Sequence, residues 1–144
     1  MSATGLDVFD KTLQTTNIWL DEIMAEMGPD RQVAWHILGA VLRTLRDRLP
    51  PDLGAHLGSQ LPILVRGVYY DQYEPSTVPD KIRSVDEFLT KIKGQLEFIR
   101  PVDSADAFKV VCRVLDRHVN EGQMAKVREA LPGEIRRIAE PQQV

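Results

Sequence analysis

An all-α fold is the expectation for this chain of 144 residues, and three observations carry it. Apolar residues recur at spacings of three and four over long stretches, which places them on single helix faces. No alternating β-branched run of useful length stands outside those stretches, so strand signals are nearly absent. The pattern L-P-x-x-[VI]-R occurs twice, as Leu61, Pro62, Val65, Arg66 and as Leu131, Pro132, Ile135, Arg136, so one helical unit reads as duplicated. Six main helices are predicted, formed by two related three-helix units packed as one compact bundle. The internal repeat spans 6–70 and 85–139 within a single domain, 1–144, and an irregular connector, 69–83, joins the copies.

Each element has its own signal. Leu6, Phe9, Leu13, Thr16, Leu20, Ile23 and Met27 mark one face of a long first helix that Gly28-Pro29 ends. Asp30 caps the second, whose Val33, Ile37, Leu38, Val41, Leu42 and Leu45 form a broad stripe before Leu49-Pro50-Pro51 interrupts it. The third runs from about Asp52 through Leu57, Leu61, Leu64 and Val68, with a kink or break expected at Pro62. Ser84 and Glu87 form a capping box ahead of Val85, Phe88, Leu89, Ile92 and Leu96, the fourth helix. Asp103 and Ser104 introduce the fifth, with Phe108, Val111, Cys112, Val114 and Leu115. Asn120 with Gln123 resembles a second capping box and opens the sixth, lined by Met124, Val127, Leu131, Ile135 and Ile138. The tail Pro141-Gln142-Gln143-Val144 is expected to fray.

The copies align at offsets that drift with loop length: 79 from Phe9 to Phe88, 73 from Val41 to Val114, and 70 from Leu61 to Leu131. A domain of this size buries roughly 68–70% of its unfolded surface, so a proper core needs no staples. Hydrophobic content of 43% and charged content of 27% fit an ordinary globular chain and exclude a fibrous or disordered one. Net charge is −3, with 6 basic and 11 acidic residues up to position 80 and 12 and 10 after it. The basic residues of the second half, among them Arg113, Arg117, Lys126, Arg128 and Arg137, are interleaved with acids, which disfavours nucleic-acid binding. The lone Cys112 cannot form an internal disulfide, and neither a signal segment nor a long uncharged apolar stretch appears, so a reducing cytoplasm is expected and no membrane partner.

Pro62 and Pro132 mark matched bends, and Arg66 and Arg136, four residues on, sit where a guanidinium can offset a helix C-terminal dipole or anchor a ligand. His36, His56 and His118 lie on separate helices without metal-ligand spacing, so neither a metal nor a cofactor is assigned. Asp52 precedes His56 by four residues, but no nucleophile accompanies the pair, and no catalytic residue is assigned. Glu22 and Glu26 read as a solvated helix face, and Cys112 as an inert core thiol. The connector holds the most functional side chains: Tyr69, Tyr70, Asp71, Tyr73, Lys81 and Arg83 bring aromatic faces, a carboxylate and cations into one loop. The competing structural reading lays the tyrosines over the seam between the copies and pairs Asp71 and Glu74 with Lys81 and Arg83.

Arg48-Leu49-Pro50, Gln60-Leu61-Pro62, Tyr69-Tyr70, Pro75, and Lys81-x-Arg83 leading to Glu87-Phe88-Leu89 together resemble the bacterial domain of unknown function 2267 family over nearly the whole chain. The chain departs from that pattern at Tyr73, where the family usually has tryptophan, and at Ala130, where it often has glutamine. The resemblance implies a small soluble helical bacterial protein, sometimes found in stress-related settings, with no activity established for the family. The functional expectation is a non-enzymatic protein-interaction module with an unidentified protein partner. The alternative is a small-ligand binder or enzyme using a cleft between the copies, with Arg66 and Arg136 lining it. Homo-oligomerisation is left open.

Overall fold

The structure, a computed structural model, describes residues 3–141, so the end of the tail expected to fray, 142–144, lies outside them. Among the described residues there are eight α-helices and no strand. They are α1 (Asp7–Met27), α2 (Arg31–Arg48), α3 (Pro51–Ser59), α4 (Ile63–Tyr70), α5 (Val85–Gly94), α6 (Ser104–His118), α7 (Glu121–Glu129) and α8 (Gly133–Ala139), with a short 3₁₀ turn at Pro75–Thr77.

The count of eight corrects the expected six, and proline chemistry explains the difference. A proline has no N–H to give to the carbonyl four residues back, and it disfavours helical backbone at the residue before it. Pro62 and Pro132 therefore stand as the N-caps of new helices, with φ/ψ of −57°/153° and −54°/149°, rather than inside bent ones. α3 stops at Ser59 and α7 at Glu129, and the chain restarts in a new direction.

Elsewhere the expected caps form. Asp30 accepts from the amides of Gln32 and Val33, Ser84 from Glu87, Asp103 from Asp106, and Asn120 from Gln123. α1 ends at Gly28, whose φ of 107° is a backbone setting that favours glycine.

α2 and α6 touch at the centre of the molecule, and the other helices are arranged around them. α1 lies on α6 while α5 lies on α2; α4 bridges α1 and α2 while α8 bridges α5 and α6; α3 meets α7. Ile37, Leu38, Val41 and Leu42 from α2 and Phe108, Val111, Val114 and Leu115 from α6 are fully buried. Phe88 of α5 meets Phe108 edge-on at 4.9 Å. Aliphatic and aromatic side chains thus fill the space between the two halves.

The first helix departs from its expected face. Only Thr16, Trp19, Leu20 and Ile23 are buried, while Leu6, Phe9 and Leu13 are 51%, 53% and 42% exposed. α6 runs antiparallel to α1, pairing Arg113 with Glu26 and Arg117 with Glu22, and it ends level with Trp19. α1 continues beyond that end for about three turns, so its apolar stripe outruns the helix that would cover it. Phe9 and Phe88 differ in burial for the same reason: Phe9 is half exposed and Phe88 is fully buried.

Candidate functional site: the strap between the halves

The last turn of α2 carries Arg46, Asp47 and Arg48, and these three residues tie down the chain that follows α4. Arg46 is buried; its guanidinium donates to the carbonyls of Tyr69 and Asp71, both at 2.7 Å, and pairs with Asp47 at 2.8 Å. The same cation lies 5.1 Å from the centre of the Tyr73 ring, which it attracts through the quadrupole of the aromatic face. The Asp47 carbonyl accepts from the Asp80 amide at 2.8 Å, and Arg48 Nε donates to the Ile82 carbonyl at 2.6 Å. Lys91 of α5 bridges the Asp47 and Asp80 carboxylates at 3.0 and 3.1 Å. Burial lowers its pKa, but those two bonds outweigh that, and the net shift is upward.

Tyr69, Tyr70 and Tyr73 have different places in this arrangement. Tyr69 closes α4 fully buried, and its hydroxyl donates to the Gly54 carbonyl at 2.6 Å. Burial, reinforced by the neighbouring Tyr70, pushes that hydroxyl's pKa well up. Tyr69 belongs to the core and presents nothing to a partner. Tyr70 meets Tyr69 edge-on at 5.0 Å and Tyr73 at 5.7 Å, and both Tyr70 and Tyr73 are partly exposed. Gly58 of α3 makes room for this ladder, because a Cβ there would come within 2.7 Å of the Tyr70 hydroxyl.

Beyond the tyrosines the burial alternates residue by residue from Pro79 to Ser84. Asp80, Ile82 and Ser84 face the body of the protein, while Pro79, Lys81 and Arg83 face outward. Val78 and Ser84, at the two ends, have extended backbone. Among the described residues neither Lys81 nor Arg83 makes a hydrogen bond or ion pair, through side chain or backbone. The pairing of Asp71 and Glu74 with these cations does not form: the Asp71 carbonyl serves Arg46, and the Glu74 carboxylate accepts from Ser76.

Arg66 and Arg136 have a definite task. Arg66 donates to the carbonyls of Gly58, Ser59 and Leu61 at 3.0, 3.1 and 2.9 Å. Arg136 donates to those of Arg128, Glu129 and Leu131 at 3.0, 3.1 and 3.2 Å. The proline breaks strand carbonyls at the ends of α3 and α7, and a guanidinium reaching back from the next helix satisfies them. Arg66 borders an open groove between α1 and the α3–α4 break, with its Nε and Nη2 bonded to the carbonyls of that break.

The remaining candidates resolve individually. Glu22 and Glu26 are not a solvated pair: Glu26 binds Arg113, and Glu22 binds Arg117 at 3.0 Å and His118 Nε2 at 2.5 Å. The His118 ring stacks on buried Trp19 at 5.1 Å, so α1 and α6 are joined by an apolar contact under a polar one. His36 meets Phe98 edge-on, and His56 is exposed without a bond to Asp52. Cys112 is buried, and desolvation pushes its thiol pKa up to about 12. Among the described residues no three His, Cys, Asp or Glu side chains are placed to hold a metal ion. Among them no helix is long and apolar enough to cross a membrane.

Arg46, Asp47 and Lys91 were not singled out by sequence pattern. The one signal for Arg46 and Asp47 is a run of three charges, Arg46-Asp47-Arg48, directly after a broad apolar stripe, where a helix emerges from the core, and Lys91 has no such signal.

The fold and the strap define a helical protein whose most distinctive polar structure is a tethered connector. The chain belongs to the family described as uncharacterized conserved protein (DUF2267), whose family model matches residues 16–138. That match begins at Thr16, where α1 starts to be buried, and covers the whole strap. No curated protein matches the chain.

Proposed function

We propose that the protein is a non-enzymatic docking module of the bacterial cytoplasm, built from two related four-helix units, that holds a protein partner on the strap between them. The observation carrying this reading is that Arg46, Asp47, Arg48 and Lys91 tie the strap down while Lys81 and Arg83 stay exposed, with no hydrogen bond or ion pair among the described residues. A fixed surface loses little entropy on binding, so its few exposed groups contribute more to affinity. Tyr70, Asp71 and Tyr73 extend the same surface, whereas Tyr69 supports it from within. Support for the duplication comes from helix pairings that exchange when α1–α4 are swapped for α5–α8, and from the matched carbonyl sets of Arg66 and Arg136. A cleft between the halves is disfavoured, because their interface is packed and each guanidinium spends its Nε and Nη2 on the backbone carbonyls of its own proline break.

A photo-crosslinking residue in place of Arg83, introduced in the native host, tests the reading. The expected result is a discrete protein adduct that the same residue in place of exposed Lys126, on α7, does not form. Identical adducts from both positions, or none from position 83, would contradict it.

A further inference from the structure

We infer that the outward edge of the strap, Lys81 to Arg83, receives an extended peptide segment bearing carboxylates on alternate residues. This rests on the reading of the strap as a docking surface and specifies its partner.

The argument starts from the alternation. Where burial alternates, residues two apart lie on one face, about 6.6 Å apart at 3.3 Å per residue. Lys81 and Arg83 are such a pair, with Ile82 turned inward between them. Carboxylates on alternate residues of an extended partner have the same spacing, so both pairs can be made without distorting either chain. Backbone groups follow the same period. The Asp80 amide and the Ile82 carbonyl are used by α2, whereas the N–H and C=O of Lys81 and of Arg83 have no protein partner among the described residues. Unpaired groups on alternate residues are what an incoming strand bonds to when it adds to an edge.

The neighbouring cations sharpen the assignment. Arg43, Arg46, Arg48 and Lys91 each have an internal partner, so only Lys81 and Arg83 are available on this strip. The chain on either side of them is acidic and exposed, with Asp71 and Glu74 in the same connector and Asp86 and Glu87 in the first turn of α5. A uniformly charged polyanion such as a nucleic acid is repelled by those four carboxylates. A short strand that places two carboxylates on two cations is not, provided its remaining residues are neutral or basic. Specificity therefore comes from the pattern of charge rather than its total.

The test is fluorescence anisotropy with the full chain and four labelled probes: a peptide of valine and threonine carrying two glutamates on alternate residues and no other charge, the same peptide with lysines in place of the glutamates, the glutamate peptide with alternate amides N-methylated, and single-stranded DNA. The glutamate peptide is expected to bind and the lysine peptide and DNA not to. Lys81→Glu with Arg83→Glu is expected to weaken glutamate-peptide binding by about tenfold or more, because two charge-assisted contacts become repulsive. N-methylation is expected to weaken it comparably by removing the backbone donors. Circular dichroism checks that the double variant stays folded, as expected for two exposed side chains without a hydrogen bond or ion pair among the described residues. DNA binding as tight as the peptide, an unchanged affinity in the double variant, indifference to N-methylation, or no peptide binding at low salt would each overturn the inference. If the crosslink at position 83 persists in any of those cases, the docking surface stands and only the assigned partner chemistry falls. If the crosslink is also lost, both fall.

Discussion

At the residue scale, arginine does most of the work of joining elements. Arg66 and Arg136 each place three donors on the carbonyls freed by a proline break, a task that suits a planar guanidinium and not an ammonium. Arg66→Ala leaves those acceptors to water or to nothing, and the expected cost is about 1–2 kcal/mol in urea unfolding. Arg66→Lys should recover only part of it. No change in either variant would show that the bonds contribute nothing net. Cys112 offers a second check. With its thiol pKa raised by burial to about 12, it should resist iodoacetamide at pH 9.0 in the folded protein and react at once in denaturant. Ready alkylation of the folded protein would contradict the buried placement.

At the element scale, the question is what joins α1 to α6. Trp19 is buried under the His118 ring, while Glu22, Glu26, Arg113 and Arg117 form the partly exposed pairs above it. Buried area outweighs exposed charge here. Trp19→Ala should cost about 3–5 kcal/mol through lost transfer energy and cavity formation. Glu22→Gln should cost about 1 kcal/mol or less, since partly exposed pairs are screened by solvent. Thermal melts of the two variants compare them directly, and equal losses would reverse the ranking. Spacing in the sequence reveals the helices and most of their caps, because both are local. It misleads where a helix ends through proline chemistry, as at Pro62, and where a stripe outlasts its neighbour, as at Phe9. The length of a packing partner is not a local property. Lys81 and Arg83 are visible in the sequence as cations in a connector, but their lack of polar partners among the described residues depends on how Arg46, Asp47 and Lys91 hold the connector, and only the fold brings those residues there.

At the scale of the whole molecule, three groups tie stability to alkaline pH with the same sign. Lys91, Tyr69 and Cys112 all hold their protons more tightly when folded, with pKa values raised from ordinary values of 10.5, 10.0 and 9.0. Their contributions are complete below those values and are lost as pH rises toward the folded ones, because the unfolded chain gives up its protons first. Urea midpoints should therefore fall steadily above pH 9.0, and less steeply in Tyr69→Phe. A midpoint independent of pH through that range would contradict the placement of these groups.

The most direct test of the tethered strap is amide hydrogen exchange across residues 79–84, followed by NMR. The Asp80 amide bonds to the Asp47 carbonyl and the Ile82 amide to the Asp80 carboxylate, whereas those of Lys81 and Arg83 have no partner among the described residues. Exchange at Asp80 and Ile82 is predicted to be slower by about tenfold or more than at Lys81 and Arg83, because protection follows the bonded groups. Uniformly fast exchange would mean a loose loop rather than a fixed edge, and uniformly slow exchange would mean that no edge is free to bind.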